Sequence, residues 1–397
     1  MNNKIIAFCG ETFKLNSNGD LVAKPTSAAF LQRTFGTENV FVCSPFKNEI
    51  LDQGYSTTLD NEKFFQAPFY SSTKEFLYKS ITKRLFLKSY IDFCDEVILN
   101  NENSIFWIRT PSLGSIIFGL RVLKHEKKLL NHICANPSDT WKSDKYSFIE
   151  KIFGFFVSRF VVFLLGKICS HKLTLNLCTG DVIENLARKY SINSKQFVDL
   201  MIERPSKANP LNYQKGEILN LLFVGRLVRD KGIFELISAV KVLKANVKLT
   251  IVGDGPDLEE AKRVITDLNL QNMIMFTGQL PHSQLEVLYQ NTDLTIVPSD
   301  NDYEGFPRVI MESWSQGKPV IVTDVGGVKA FVKDCHNGLI IERGSVDSIV
   351  MALQKILTTE HLYEQLLSGV DDIQPLSNID YWKDSLLKWT EDFYAEK

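Results

Sequence analysis

The chain of 397 residues holds seven cysteines, at positions 9, 43, 94, 134, 169, 178 and 335, with no C-x-x-C pair and no histidine-rich segment beside them. A zinc site or a disulfide framework is therefore not expected. Low-complexity tracts and internal repeats are also missing, which argues against fibrous and solenoid architectures. The most apolar stretch, "KIFGFFVSRFVVFLLGKI" (151–168), is interrupted by Arg159. Its uncharged runs fall short of the ~20 residues needed to span a bilayer, so it is expected not to cross one. The opening "MNNKIIAFCG" lacks the hydrophobic core and small-residue cleavage site of a signal peptide, so a reducing, cytoplasmic compartment is expected. No nucleic-acid partner is expected.

What is present suits a folded, multidomain protein. Hydrophobic residues make up 44% and charged residues 23%, and the length calls for more than one domain at ~100–200 residues each. Residues 1–205 hold 26 Lys and Arg against 20 Asp and Glu, whereas 206–397 hold 19 against 27. Halves of opposite charge suggest different partners, unless surface charge has simply drifted.

In the C-terminal half, strand candidates "NLLFVG" (220–225), "VKLTIVG" (247–253), "MIMFTG" (273–278), "LTIVPS" (294–299), "PVIVTD" (319–324) and "GLIIER" (338–343) alternate with amphipathic helical patterns. In one of these, Ile233, Leu236, Ile237, Val240 and Leu243 fall on one face. Continuous apolar strands separated by helices imply a parallel, doubly wound sheet. Such sheets bind ligands beyond the carboxyl ends of their strands. The polar clusters "GRLVRDKG", "GDGP", "GQLPH", "SDNDYEGFP" and "DVGG" all fall there.

The N-terminal half offers strands at 4–10, 39–45, 96–100, 104–110 and 172–180, and reads as a second α/β domain. The segment 204–217 has no apolar periodicity and reads as a linker. The expected domains are 1–203 and 218–378, facing each other across a cleft, with a closing helix over 379–397 placed to cross back to the first.

Arg226 and Lys231, close to a helix start, suit a diphosphate gripped by a fork and a point charge. Pro307 and the apolar Val309, Ile310, Met311 and Trp314 predict a helix from about Phe306. That places Glu304 before it and Glu312 about two turns inside, with the N–H groups of Gly305 and Phe306 at its start. Ionised carboxylates accept hydrogen bonds from vicinal hydroxyls, so two of them suit a sugar and a ribose. The bland alternative is a helix-start charge and a solvated helix residue.

The stretches "FVGRLVRDKG", "LTIVGDGP", "FTGQLPHSQLEVLYQNTDLTIVPS" and "EGFPRVIMESWSQGKPVIVTDVGG" resemble, in this order, the C-terminal domain of the retaining family-4 glycosyltransferases of GT-B fold. The resemblance covers about Asn220 to Leu357. It implies that Arg226 and Lys231 bind the donor diphosphate and Glu312 the nucleotide ribose. It further implies that Glu304 meets the transferred sugar, that Gly305 and Phe306 approach sugar and phosphate, and that the backbone from Gly278 to Leu280 meets the base. Gly253 and Gly10 complete the donor-binding candidates. Arg226, Lys231 and Glu304 are the catalytic candidates, with no metal and no cofactor beyond the nucleotide-sugar donor. "DND" (300–302) matches the D-x-D spacing of metal-dependent transferases, but aspartates before a helix commonly form turns.

The N-terminal half departs from the family pattern, with the single Gly10 in its first loop and "WIRTPSLG" placing Arg109 at a strand end, facing either a ligand or solvent. Basic and apolar residues interleave in "FLYKSITKRLFLKSYI" (76–91), which reads either as one interfacial helix suited to an anionic membrane surface or as a solvated amphipathic helix, while the apolar 151–168 reads either as a second membrane contact or as a buried core helix. The resemblance thus implies transfer of a sugar from a UDP- or GDP-sugar to a lipid-linked glycan in bacterial surface polysaccharide assembly, at the inner face of the plasma membrane. Alternatives are another GT-B activity, such as sugar-nucleotide epimerisation or soluble glucan-type transfer, or a non-catalytic nucleotide-binding scaffold.

Overall fold

The computed structural model describes residues 4–395 apart from 24–26, 53–54, 56, 143–145, 204–212 and 302–304, and leaves aside the side chains of residues 245, 282 and 283. The chain divides into two compact α/β units, residues 1–199 with 383–397, and residues 200–382.

In the second unit six parallel strands lie in the order Ile274–Gly278, Val247–Val252, Leu219–Val224, Leu294–Val297, Val320–Thr323 and Gly338–Ile341. Numbered along the chain this order is 3-2-1-4-5-6, the doubly wound arrangement whose strand order reverses between its first and fourth strands. All six expected strands are present, five of them ending one or two residues early, where the polar loops begin, and the third ending at Gly278 as expected. The helix Ile233–Leu243 buries Ile233, Leu236, Ile237, Val240 and Leu243 against this sheet, as the 3.6-residue spacing requires. Only 213–217 of the expected linker is described. There Tyr213 is buried edge-on against Tyr363, 5.6 Å between ring centres, so this end belongs to the second core.

The first unit has a ten-stranded sheet among its described residues. Its parallel core runs Ser194–Gln196, Thr174–Cys178, Leu129–Ile133, Ile105–Thr110, Ile5–Phe8 and Val40–Ile50. Sequence reasoning overlooked several of these elements. The long first loop is a hairpin, Phe13–Leu15 with Leu21–Ala23, closed where the Asn16 side-chain oxygen accepts from the backbone N–H groups of Asn18 and Asp20, with Gly19 at φ +84°. Leu129–Ile133 also forms a strand that was not expected.

Two expectations are corrected. "EVILN" (96–100) is not a strand but the end of the helix Phe86–Leu99, whose buried Tyr90, Cys94, Val97 and Ile98 recur at helical spacing. A five-residue apolar run cannot by itself tell the two apart. Residues 76–91 form not one helix but two, Thr73–Thr82 and Phe86–Leu99, broken where Lys83 turns extended at φ −103°, ψ 92°. The break lets Phe86 and Tyr90 stack edge-on to Phe76, at 5.3 and 5.2 Å, a packing one straight helix could not make. The apolar stretch at 151–168 lies within a single helix, Phe148–Cys169, which is long and apolar enough to cross a membrane by length and composition.

Lys318 is fully buried before the strand Val320–Thr323, near Asp293. Burial pulls its pKa down to about 8, against the pull of Asp293, whose own pKa burial raises although its carboxylate accepts from the Asn220 backbone and side chain. A lysine of folded pKa about 8 and unfolded pKa ~10.4 binds more protons unfolded than folded between those values. Stability from this group therefore rises as pH climbs through that window. In urea titrations, wild-type stability minus that of Lys318→Met should rise by up to about 3 kcal/mol from pH ~8 to ~10.4; an unchanged difference would place Lys318 in contact with solvent.

Candidate functional site

The loops at the carboxyl edge of the second sheet are joined by their backbones. After the first strand, Gly225 N donates to Val252 O at 3.0 Å and Leu227 N to Asp254 O at 2.9 Å; Gly253 N in turn donates to Gly278 O at 2.9 Å. The "GRLVRDKG" loop ends in a short 3₁₀ turn, Arg229–Lys231, and Gly232 then adopts the left-handed conformation at φ +71° to start the helix Ile233–Leu243. A Cβ on Gly232 would stand 2.0 Å from Pro298 O, so the loops after the first and fourth strands approach to a distance only glycine allows. Asp300 N donates to Asp230 O at 2.8 Å and stitches the same two loops. These are the strands that flank the reversal in strand order, where doubly wound sheets seat their ligands.

Arg226 is exposed on this edge and makes no ion pair among the described residues. Lys231 is half-buried in the same loop. Phe306 is buried, edge-on to Phe331 at 5.0 Å, and Gly305 O accepts from Gly327 N at 3.0 Å, tying in the loop after the fifth strand. The helix predicted from Phe306 is Arg308–Ser315, with Pro307 as its N-cap at φ −66°. Glu312 is its fifth residue and so stands little more than one turn inside, not two. Glu304 lies outside the described residues, with Asp302 and Tyr303.

Glu312 is half-buried, and its Oε2 accepts from the Tyr289 hydroxyl at 2.9 Å. Tyr289 is buried among Leu222 and Val252, with Leu280 and Leu285 packed against them. Burial and then the Glu312 carboxylate push its pKa well up, which keeps it a proton donor. Nothing in the sequence singled out Tyr289: a tyrosine on the apolar side of an amphipathic helix reads as core. Arg343 was also missed. Its guanidinium pairs with the Asp300 carboxylate and donates to Asp300 O at 2.9 Å, so this half of the "DND" pattern is engaged in holding the loop.

On the first unit, Gly10 follows the strand Ile5–Phe8 at φ +78°, and a Cβ there would lie 3.0 Å from Ser112 Oγ. Arg109 is neither free nor simply solvated: its Nη1 donates to Glu11 Oε1 at 3.0 Å, and both side chains are mostly buried. The neighbouring Cys134, Asp199 and Glu11 raise its pKa against the opposing effect of burial. His132, fully buried on the strand Leu129–Ile133, lies 2.9 Å from Thr179 Oγ1 through Nε2, and Ser27 Oγ donates to Asp199 Oδ2 at 2.9 Å beside it. These residues belong to another unit than Arg226, Lys231 and Glu312.

Residues 206–368 match the model of the family described as glycosyl transferases group 1. The matched residues lie within the second unit. A putative teichuronic acid biosynthesis glycosyltransferase of Bacillus subtilis, TuaC, is 38% identical over 145 residues, which is 36% of this chain but only 33% of TuaC. The Staphylococcus aureus capsular polysaccharide biosynthesis glycosyltransferase CapM is 27% identical over 242 residues, 55% of this chain and 60% of CapM. The crystal structure of Anabaena HepE in complex with UDP and glucose superposes with a TM-score of 0.64 at 14% identity, covering 98% of this chain and 99% of HepE. The chain has the GT-B fold.

The two glycine positions on this edge separate by their surroundings. A Cβ on Gly253, at φ +136°, would stand 1.9 Å from Gly225 O, whereas one on Gly278, at φ +73°, meets nothing within 4 Å. In denaturant titrations Gly253→Ala should lose more than about 2 kcal/mol and Gly278→Ala about 1 kcal/mol, the cost of a left-handed alanine. Equal losses would mean that the first two loops do not touch.

Proposed function

We propose that the chain is a retaining glycosyltransferase that moves a sugar from a UDP- or GDP-sugar to a lipid-linked glycan in bacterial surface polysaccharide assembly. One observation carries the reading. The Arg226–Lys231 loop and the Gly305–Glu312 segment follow the two strands that flank the reversal of the sheet, and backbone contacts at Pro298 and Asp230 hold their loops together. The UDP complex of HepE supports a nucleotide-sugar donor, and the names of TuaC and CapM support a surface-polysaccharide acceptor.

In this reading an acceptor hydroxyl attacks the anomeric carbon as the nucleoside diphosphate departs. Negative charge grows on the leaving phosphate, and Arg226 and Lys231 are fixed cations for it. With the leaving group neutralised by side chains, no metal is needed for that role. Glu312, held through one oxygen by Tyr289, accepts from ribose hydroxyls with the other. Glu304 takes hydroxyls of the transferred sugar, and the backbone from Gly278 to Leu280 meets the base.

Thermal-shift titration with UDP, GDP and their sugars tests the donor: one nucleotide and its sugars should raise the melting point well beyond the rest, and a flat response to all of them overturns the reading. Arg226→Ala or Lys231→Ala should lower kcat by about 10²–10³, equivalent to ~3–4 kcal/mol. Glu312→Ala should weaken nucleotide binding, while Glu304→Ala should spare it and cut transfer. The opposite pattern in calorimetry and rate assays would reverse the two roles.

A further inference from the structure

The helix Phe148–Cys169 has two apolar sides where a surface helix needs one. Val161, Leu165 and Ile168 are buried in the first unit's core, and Ser158 Oγ donates to Pro137 O at 2.6 Å, so this side is fixed to the fold. Along the opposite side, Phe148, Ile149, Phe153, Phe156, Phe160 and Phe163 are 47% to 78% exposed. Positions 149, 153, 156, 160 and 163 advance by three or four residues, which makes them one continuous stripe. An exposed aromatic stripe of this length serves no packing purpose in the unit, and contiguous apolar surface marks an interaction site.

The charges around the stripe identify its partner. Arg159 sits over Phe155 at 5.0 Å and Lys167 over the exposed Phe163 at 4.6 Å, so cations lie within the apolar face. The single acid of the helix, Glu150, completes the capping box with Ser147 and pairs with Lys74 at 3.7 Å. That pair brings the start of the Thr73–Thr82 helix beside the start of this one. The corner that follows Thr73–Thr82 exposes Ile81 and Leu85 together with Lys83, Arg84 and Lys88, and these three cations make no ion pair among the described residues. A two-fold pairing of copies through the stripe would bring the cations of both copies to one interface, where the helix's single acid is already paired. An anionic surface meets them with opposite charge.

We infer that the exposed face of Phe148–Cys169, with the Ile81–Lys88 corner, is a docking surface for an anionic lipid bilayer, on which the helix lies in the interface rather than crossing it. The inference deepens the lipid-linked acceptor of the proposed function and rests on that reading for why the protein needs a membrane. The buried side decides between lying and crossing, because a spanning helix would have to leave the core that holds Val161, Leu165 and Ile168. Phenylalanines enter the boundary between headgroups and acyl chains, and Lys83, Arg84 and Arg159 remain with the phosphates.

Sedimentation of the full chain with vesicles, in the absence of any donor sugar, tests this. Wild-type protein should sediment with phosphatidylcholine vesicles containing phosphatidylglycerol and far less with phosphatidylcholine alone, and added salt should weaken the binding. Ile149→Ser combined with Phe156→Ser should weaken it by about tenfold or more, and Lys83→Glu combined with Arg84→Glu should remove the preference for anionic vesicles, with melting temperatures unchanged in both. The inference is overturned if wild-type protein stays in the supernatant with both vesicle types, if the variants bind as wild-type does, or if light scattering shows a dimer that the Ile149 and Phe156 changes dissociate. Protein that binds nucleotide but no vesicle removes the docking surface and leaves the transferase reading standing; the converse result removes the transferase reading alone.

Discussion

The closeness of backbone to backbone at the carboxyl edge of the second sheet is the constraint on which the candidate site depends. Gly232 against Pro298 O and Gly253 against Gly225 O leave no room for a side chain, and both glycines hold positive φ. Because the loops touch through main-chain atoms, the position of Arg226 and Lys231 relative to the segment that leads to Glu312 is set by the sheet itself. Backbone hydrogen bonds at Asp230 and Gly305 extend the same logic to the loops after the fourth and fifth strands. A site of this kind needs few side-chain contacts to be preorganised.

The second sheet was readable because strands buried on both faces are continuous apolar runs, such as "LTIV" and "VIVT", and each ends in a polar turn. The first was harder for the same physical reason in reverse. Its short outer strands, Phe13–Leu15 and Thr57–Leu59, are three residues long and carry too little pattern to separate from loop. The helix end at "EVILN" has strand composition, and only the position of Cys94 and Tyr90 one and two turns earlier reveals its period. The break at Lys83 has no glycine or proline to announce it; it is imposed by the aromatic packing of Phe76, Phe86 and Tyr90.

Within the site, residue types and loop positions were legible, whereas pairings were not. The sequence offered Asp300 as half of a metal-binding pattern and Arg109 as either a ligand contact or a surface charge. The fold answers both with partners distant in the chain, Arg343 for Asp300 and Glu11 for Arg109. Charge pairs of this kind depend on which strand ends the topology brings together, and no local periodicity encodes that.

The acids of the second unit illustrate how partners sort function from support. Asp300 is held by a guanidinium and its own loop carbonyl is held too, so its charge serves the loop. Asp293 is buried under the opposite edge, where Asn220 and the nearby Lys318 satisfy it. Glu312 differs from both. One oxygen is fixed by a buried phenol, the other accepts nothing among the described residues, and the side chain is half open to solvent on the ligand edge. A carboxylate oriented by one neutral donor keeps most of its acceptor capacity for hydroxyl groups. A salt-bridged acid could not offer hydroxyl groups as much.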